Sequence, residues 1–464
     1  MPIIGTVMVP HPPLIIPEVG RGEERKIQNT IDAYGRASKM VADMCPDTVV
    51  VISPHTTAYF DYFHISPGKS ASGSFASFGA PNVSVSVEYD SEFADAISEQ
   101  ALLRGVDAGT LGERVKELDH ATLIPLYFLR EACGGELPFK VVRVGLSGMP
   151  LAEHYKLGMA IKDASERANR RIAVVASGDL SHVLKAGGPY GYKEEGPIYD
   201  DRIMDVMSGA EFGKLFDFGE AFCERAAGCG HRSFVIMAGC FDGTVVKAEK
   251  LSYEGPFGVG YGVCVFTPDG TGEGRHFLEQ YFRGEEAKTE AVKDFEDEYV
   301  RLARKSLEAF ILRRETIKIP DGLSDELTKR RAGVFVSLKK HGRLRGCIGT
   351  IAPTRSSIAE EIIRNAISSS TEDPRFDAVR PDELKELVYS VDVLGEPESI
   401  DSLVLLDVVK YGVIVTNGGR RGLLLPNLDG VDTVGEQISI AKQKAGISEN
   451  EPVKLQRFEV VRHY

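Results

Sequence analysis

Residues 172–182 read Ile-Ala-Val-Val-Ala-Ser-Gly-Asp-Leu-Ser-His, and the fold class turns on them. The apolar run 172–176 has the length and β-branched content of a strand buried on both faces. Ser177-Gly178 ends the run, and Asp179, Ser181 and His182 follow at once. A buried strand that stops and delivers an acid and an imidazole into a loop is how open α/β sheets place chemistry at their carboxyl edge. The pattern recurs twice. The run 3–9 leads into Pro10-His11, and 48–52 leads into Ser53-Pro54-His55. In both, proline stops the strand and stiffens the turn before the histidine. One such histidine is an ordinary loop residue. Three at equivalent strand ends point to a metal site with a proton-transfer group beside it.

Working outward, residues 1–266 read as one α/β domain with a central, mostly parallel or mixed sheet covered by helices. Its other strands are predicted over 139–144 and 258–266, and its helices over 24–44, 91–103, 151–168 and 234–240. The Gly/Ser-rich stretch 66–82 reads as a surface loop. Its Gly68-Lys69-Ser70 is no P-loop, because Phe63 stands where the first glycine is required. Residues 267–289 are turn-rich and charged and read as a linker. Residues 290–464 read as an α+β domain: a periodic helix over 291–313, helices over 357–369 and 434–445, and strands over 333–339, 388–394, 412–416 and 422–425.

The chain has 464 residues, 43% apolar and 27% charged, which is a soluble multidomain composition. No apolar run approaches the ~18–20 residues that cross a bilayer. The N-terminus lacks the basic start of a signal peptide, so the expected compartment is the cytoplasm. A net charge of −13 argues against broad nucleic-acid binding. Seven cysteines without an export signal read as reduced thiols.

Further candidates complete the site. His120 follows Asp119, a good helix N-cap, and opens an apolar helical run that could face the same cleft. The third metal ligand stays open between Cys229, His231 and a carboxylate, Glu254 or Glu224. Two histidines and a carboxylate make the facial triad of non-haem Fe(II) enzymes; two histidines and a thiolate are softer and shift preference towards zinc or copper. In the second domain, Cys347 lies between glycines downstream of Arg343 and Arg345. It is either a thiol activated by those arginines or a small residue in a packed turn, and chemistry alone favours the latter.

With PHPPLI at His11, SPH at His55, LDHATLIPL at His120, SGDLSH at Asp179 and His182, and CGHRSFVIMAG at Cys229, the first 266 residues resemble the LigB family. These are the catalytic subunits of class III extradiol ring-cleaving dioxygenases, and the related Memo proteins are closer still. The resemblance implies Fe(II) held by His11, His55 and a glutamate, His182 as acid/base with Asp179 to orient or charge-tune it, and His120 holding substrate or oxygen. The substrate it implies is a small phenolic or aromatic ring. In Memo proteins a cysteine replaces the glutamate, and Cys229 matches it. RGCIGT, with Arg345 and Cys347, together with EDPRF and GLLLP makes 290–464 similar to the AMMECR family. The pair resembles the AmmeMemoRadiSam arrangement, which implies a radical SAM protein as partner. The alternative to a dioxygenase is then a metal-binding accessory protein of that system.

Overall fold

Runs of β-branched residues with no polar face can only be stable when covered on both sides, and four such runs form the parallel part of one sheet. In the computed structural model, which describes residues 2–428 and 430–464, the chain divides into two compact units, up to Tyr281 and from Phe282. The main strands of the first are β1 (Ile3–Val9), β2 (Thr48–Ser53), β3 (Lys140–Gly145), β4 (Ile172–Ser177), β5 (Thr244–Glu254) and β6 (Tyr261–Thr271). They lie in the order β3-β2-β4-β1-β6-β5. The first four are parallel, and β6 and β5 continue the sheet antiparallel. β2 and β4 are buried at every position.

Helices α1 (Gln28–Asp43) and α3 (His120–Ala132) pack on one face, where Tyr34, Val41, Leu123 and Leu126 meet Val7, Val51 and Val175. Strand side chains alternate, so Met8, Val50 and Val174 point to the other face. That face carries α4 (Leu151–Ala168) and α5 (His231–Gly239), with α2 (Ser91–Leu103) against α4. The two helices touch backbone to backbone: a Cβ at Gly158 would lie 1.9 Å from the carbonyl oxygen of Ile236. Each fully buried valine or isoleucine contributes about 1.5–3 kcal/mol against the entropy of ordering the chain.

The second unit is α+β. Strands β7 (Val334–Lys340), β8 (Arg343–Gly349), β9 (Leu387–Leu394), β10 (Tyr411–Asn417), β11 (Arg420–Leu424) and β12 (Lys454–His463) form an antiparallel sheet in the order β8-β7-β9-β12-β10-β11. Helices α6 (Glu298–Arg313) and α7 (Ile358–Thr371) share a core with β7 and β9, while α8 (Val434–Lys444) covers β10 and β11.

Several expectations change. The 66–82 stretch is not a loop: Ser70–Phe75 pairs with Ala80–Glu88 as a hairpin that buries Phe75 and Val85. The expected linker 267–289 holds the end of β6, which needs β5 as far as Thr271, and much of a helix, Phe277–Asp294. The helix expected over 291–313 is two, because Asp297 caps the second by accepting the N–H groups of Tyr299 and Val300, leaving Phe295 exposed. RGCIGT is strand, not turn. β5 escaped notice because its lysines and glutamates, spaced along an edge, mask the period of two. No helix among the described residues is long and apolar enough to cross a membrane.

Candidate functional site

β1 and β2 both pair with β4, with Val9 opposite Ser177 and Ile52 opposite Ala176, so their carboxyl ends lie side by side. His11, His55 and the 179–182 loop are delivered to that edge, and His120, the first residue of α3, joins them. Ligand nitrogens of His11, His55 and His120 lie within 4.8 Å of one another. His11 Nε2 and His55 Nε2 are 3.1 Å apart, and the His55 and His120 rings stack with centroids at 4.6 Å.

A layer of polar groups behind the rings fixes them. His11 Nδ1 is 3.0 Å from Ser177 Oγ, and the His11 backbone N–H donates to Asp179 Oδ1 at 2.7 Å. Ser53 Oγ donates to Asp119 at 2.6 Å and accepts the His55 N–H at 3.2 Å. Asp119 also caps α3 through the Thr122 N–H and lies 3.7 Å from the buried Arg143. One carboxylate thus sets both His55 and His120. Ser53, Ser177 and Arg143 were missed in the sequence. The lone arginine in Val-Val-Arg-Val-Gly was the available signal, since a buried guanidinium needs partners nearby.

Cys229 arrives from the loop before α5. Its Sγ lies 3.4 Å from His11 Nε2 and accepts the Asp179 N–H at 3.3 Å. Two glycines permit the approach, for a Cβ on Gly178 would fall 2.1 Å from Gly230 Cα. The rival third ligands are committed elsewhere. Glu254 accepts from Asn29 Nδ2 and from the N–H and hydroxyl of Thr30 at the start of α1. The two ring nitrogens of His231 face Tyr199 OH at 3.2 Å and the Leu215 carbonyl at 3.1 Å. Glu224 is exposed. His120, expected to hold substrate or oxygen, has a ring nitrogen within 4.8 Å of those of His11 and His55.

Burial strips these imidazoles of their protons. It pushes His11 well below the usual range, helped by His55, His120 and His182. Burial, then His55, lowers His120 to about 4, and burial lowers His55 and His182. Burial also raises Asp179 to about 7 and pushes the Cys229 thiol up, with Asp179 adding to the latter. Each neutral imidazole keeps one N–H, so the 3.1 Å approach of His11 Nε2 to His55 Nε2 is bridged by such a proton or by a cation that takes its place. With a thiol beside them, this donor set fits a divalent metal.

His182 stands beside this group. Its Nε2 is buried with no hydrogen-bond partner among the described residues, and its ring stacks on Tyr190 at 5.2 Å. It lines a cleft of about 820 Å³ with Pro12, Leu14, Phe257 and Tyr261. Among the described residues no hydrogen bond joins Asp179 to His182. The Asp179 side chain turns to the β1 end and holds His11.

In the second unit the arginines do not activate Cys347. Arg345 makes a two-pronged pair with Glu383, 3.0 Å at each prong. Burial pushes the Cys347 thiol up, although the Ser337 hydroxyl, 3.2 Å from Sγ, and Arg375 oppose this. The Cys347 N–H donates to Asp373, which Arg375 holds at about 2.

Two family models match the chain: the catalytic LigB subunit of aromatic ring-opening dioxygenase over residues 5–264, and AMMECR1 over residues 300–463. A Clostridium acetobutylicum protein is 40% identical over 100% of this chain and 99% of its own length. A Thermotoga maritima protein is 50% identical over 36% of this chain and 98% of its own. The crystal structure of an uncharacterised Pyrococcus horikoshii protein covers 35% of this chain and 88% of its own at 32% identity, with a TM-score of 0.34. With strand ends, donor set and sequence in agreement, the chain belongs to the family of the catalytic LigB subunit of aromatic ring-opening dioxygenases, and carries an AMMECR1 domain in the same polypeptide.

Proposed function

We propose that the N-terminal unit is an Fe(II)-dependent oxidoreductase of the extradiol dioxygenase class, acting on a small phenolic ring. The observation that carries this reading is the convergence of three desolvated imidazoles, His11, His55 and His120, beside a cleft whose half-buried base, His182, has a ring nitrogen without a partner among the described residues. His11 and His55 hold the metal, with Cys229 as the third ligand and His120 in reach of it. Bound Fe(II) would supply adjacent open positions for a phenolate oxygen and for O2. Zinc or copper is the alternative that a thiol ligand favours.

The chain's own residues do the rest. Phe257, Tyr261 and Pro12 give the cleft flat apolar walls for a ring. His182, uncharged near neutral pH, has one bare ring nitrogen with which to accept a phenolic proton. Asp119 and Asp179 hold the ligand-bearing segments in place through Ser53 and the His11 backbone. The test is anaerobic Fe(II) loading, followed by catechol and O2 in the full chain. Ring opening with one O2 consumed per catechol supports the reading; metal bound without O2 uptake on any phenol overturns it.

A second reading has a specific observation behind it: a thiol, not a carboxylate, faces His11 Nε2. In that case the unit binds metal without ring cleavage and serves a radical SAM partner. Metal retention without O2 uptake, together with anaerobic co-purification of a radical SAM protein, supports this second reading.

A further inference from the structure

The loop from Lys185 to Lys193 reads Lys-Ala-Gly-Gly-Pro-Tyr-Gly-Tyr-Lys, and neither the metal site nor the fold accounts for its composition. Its ends are tied to the unit: the Leu184 N–H donates to the Gly258 carbonyl, and the Lys193 N–H to that of Val183. Between those ties its backbone bonds are internal, from Gly188 to Lys185 and from Gly191 to Gly188. Gly191 has φ +78°, and Gly188 passes so close to the Phe257 carbonyl that a Cβ there would lie 3.2 Å from it. The loop is thus pinned at its base, with glycines on both sides of Pro189-Tyr190.

Tyr190 itself is 63% exposed, yet its ring lies stacked on His182, interplanar angle 30°. Among the described residues its hydroxyl has no hydrogen-bond partner. An exposed tyrosine stacked over a half-buried imidazole, whose Nε2 has no hydrogen-bond partner among the described residues, occupies the place that a flat ligand would take.

Resting on the proposed phenolic-ring chemistry, we propose that Tyr190 is the ring-selecting gate of the cleft: its side chain covers His182 in the ligand-free protein and swings aside, on the flanking glycines, when an aromatic ring stacks there. A flat ring replaces one stack by another at little cost. An aliphatic ligand displaces the stack without replacing it, so the gate selects for aromatic rings.

The test uses the full chain and the variants Tyr190→Ala, Tyr190→Phe and Tyr190→Trp. Carbethoxylation of His182, followed by peptide mass spectrometry, reports its cover without any metal or turnover. Tyr190→Ala should react about fivefold faster, the population ratio that one aromatic stack supports, and Tyr190→Phe at the parent rate. The chain has no tryptophan, so the indole of Tyr190→Trp is a unique reporter. Catechol should shift its emission, while cyclohexane-1,2-diol should not. Equal His182 reactivity in the parent and Tyr190→Ala overturns the gate. So does catechol that binds by equilibrium dialysis yet leaves the indole emission unmoved. Catechol that binds to none of the proteins overturns the phenolic reading and the ring selection together, and the carbethoxylation rates then decide whether Tyr190 covers His182.

Discussion

Each unit places one cysteine at the centre of a polar cluster, and the two clusters are built on opposite principles. Around Cys347 three carboxylates are paired with arginines: Asp373 with Arg375, Glu383 with Arg345, Asp392 with Arg462. Around Cys229 the neighbours are uncharged imidazoles whose ring nitrogens face the thiol and one another. The first cluster is held by charge pairs. The second gathers donor atoms with no charge pair among them, an arrangement that can also take a cation. Proximity of a thiol to titratable groups therefore says little about reactivity; what counts is whether the groups around it have already satisfied one another.

The contrast can be broken most severely at the imidazoles. His11→Ala or His55→Ala should lower affinity for Fe(II) or Zn(II) by more than the about 100-fold at which outer-shell losses top out. Metal analysis after dialysis measures this, and Cys347→Ser should leave it unchanged. Parent-like metal content in the histidine variants removes the site.

Next comes the paired side. Burial alone would raise Glu383, but Arg345, the Arg380 N–H and Lys340 hold it at about 2. A carboxylate depressed in the folded state stabilises it above the ordinary carboxylate range, and that stability is lost as pH falls towards 2. Glu383→Gln leaves Arg345 without its counter-charge and should cost the second unit about 2 kcal/mol in urea unfolding near neutral pH. Metal affinity should not move.

A finer probe is the pH dependence of metal binding. Lowered imidazoles are already neutral near pH 7 and release no proton, whereas a thiol pushed up by burial must lose one to bind as thiolate. Affinity should then rise about tenfold per pH unit around neutrality, and Cys229→Ser should flatten that slope. A flat parent profile would remove Cys229 from the ligand set. Smallest is Cys347→Ala, which deprives the Ser337 hydroxyl of its acceptor and should change stability by about 1 kcal/mol at most.

Much of this was legible in the chain. The strands ending at His11, His55 and His182 announce themselves because a strand buried on both faces has no polar residue until its end. Helices 91–103 and 151–168 show the same clarity, having strong apolar periodicity. What was not legible depends on where distant loops meet. Cys229, His231 and Glu254 are equally plausible ligands by residue type. Which of them reaches the histidines is decided by the Gly178–Gly230 approach, which brings Cys229 Sγ to 3.4 Å from His11 Nε2 through a contact between segments that lie far apart in sequence. His120 was visible as a neighbour of the site, but its closeness to His11 and His55 was not, since that depends on how Asp119 and Ser53 set the start of α3. The hairpin at 70–88 hid behind glycine and serine because its strands pair with each other and bury few large side chains.

The start of α5 has one more consequence. Gly230, its first flanking residue, has no side chain with which to cap the helix, and Cys229 precedes it directly. The unpaired N–H groups of a helix start carry roughly half a positive charge, and here that end lies beside the thiol. α3 also begins at the site, but its positive end is met by the Asp119 carboxylate, so the α5 start is the one without a side-chain cap. Such a field disfavours imidazolium, favours thiolate and phenolate, and sets a preferred sign for a ligand that enters there: anions are drawn in and neutral amines are not. Selection by charge would thus be written in the backbone, out of reach of side-chain substitution.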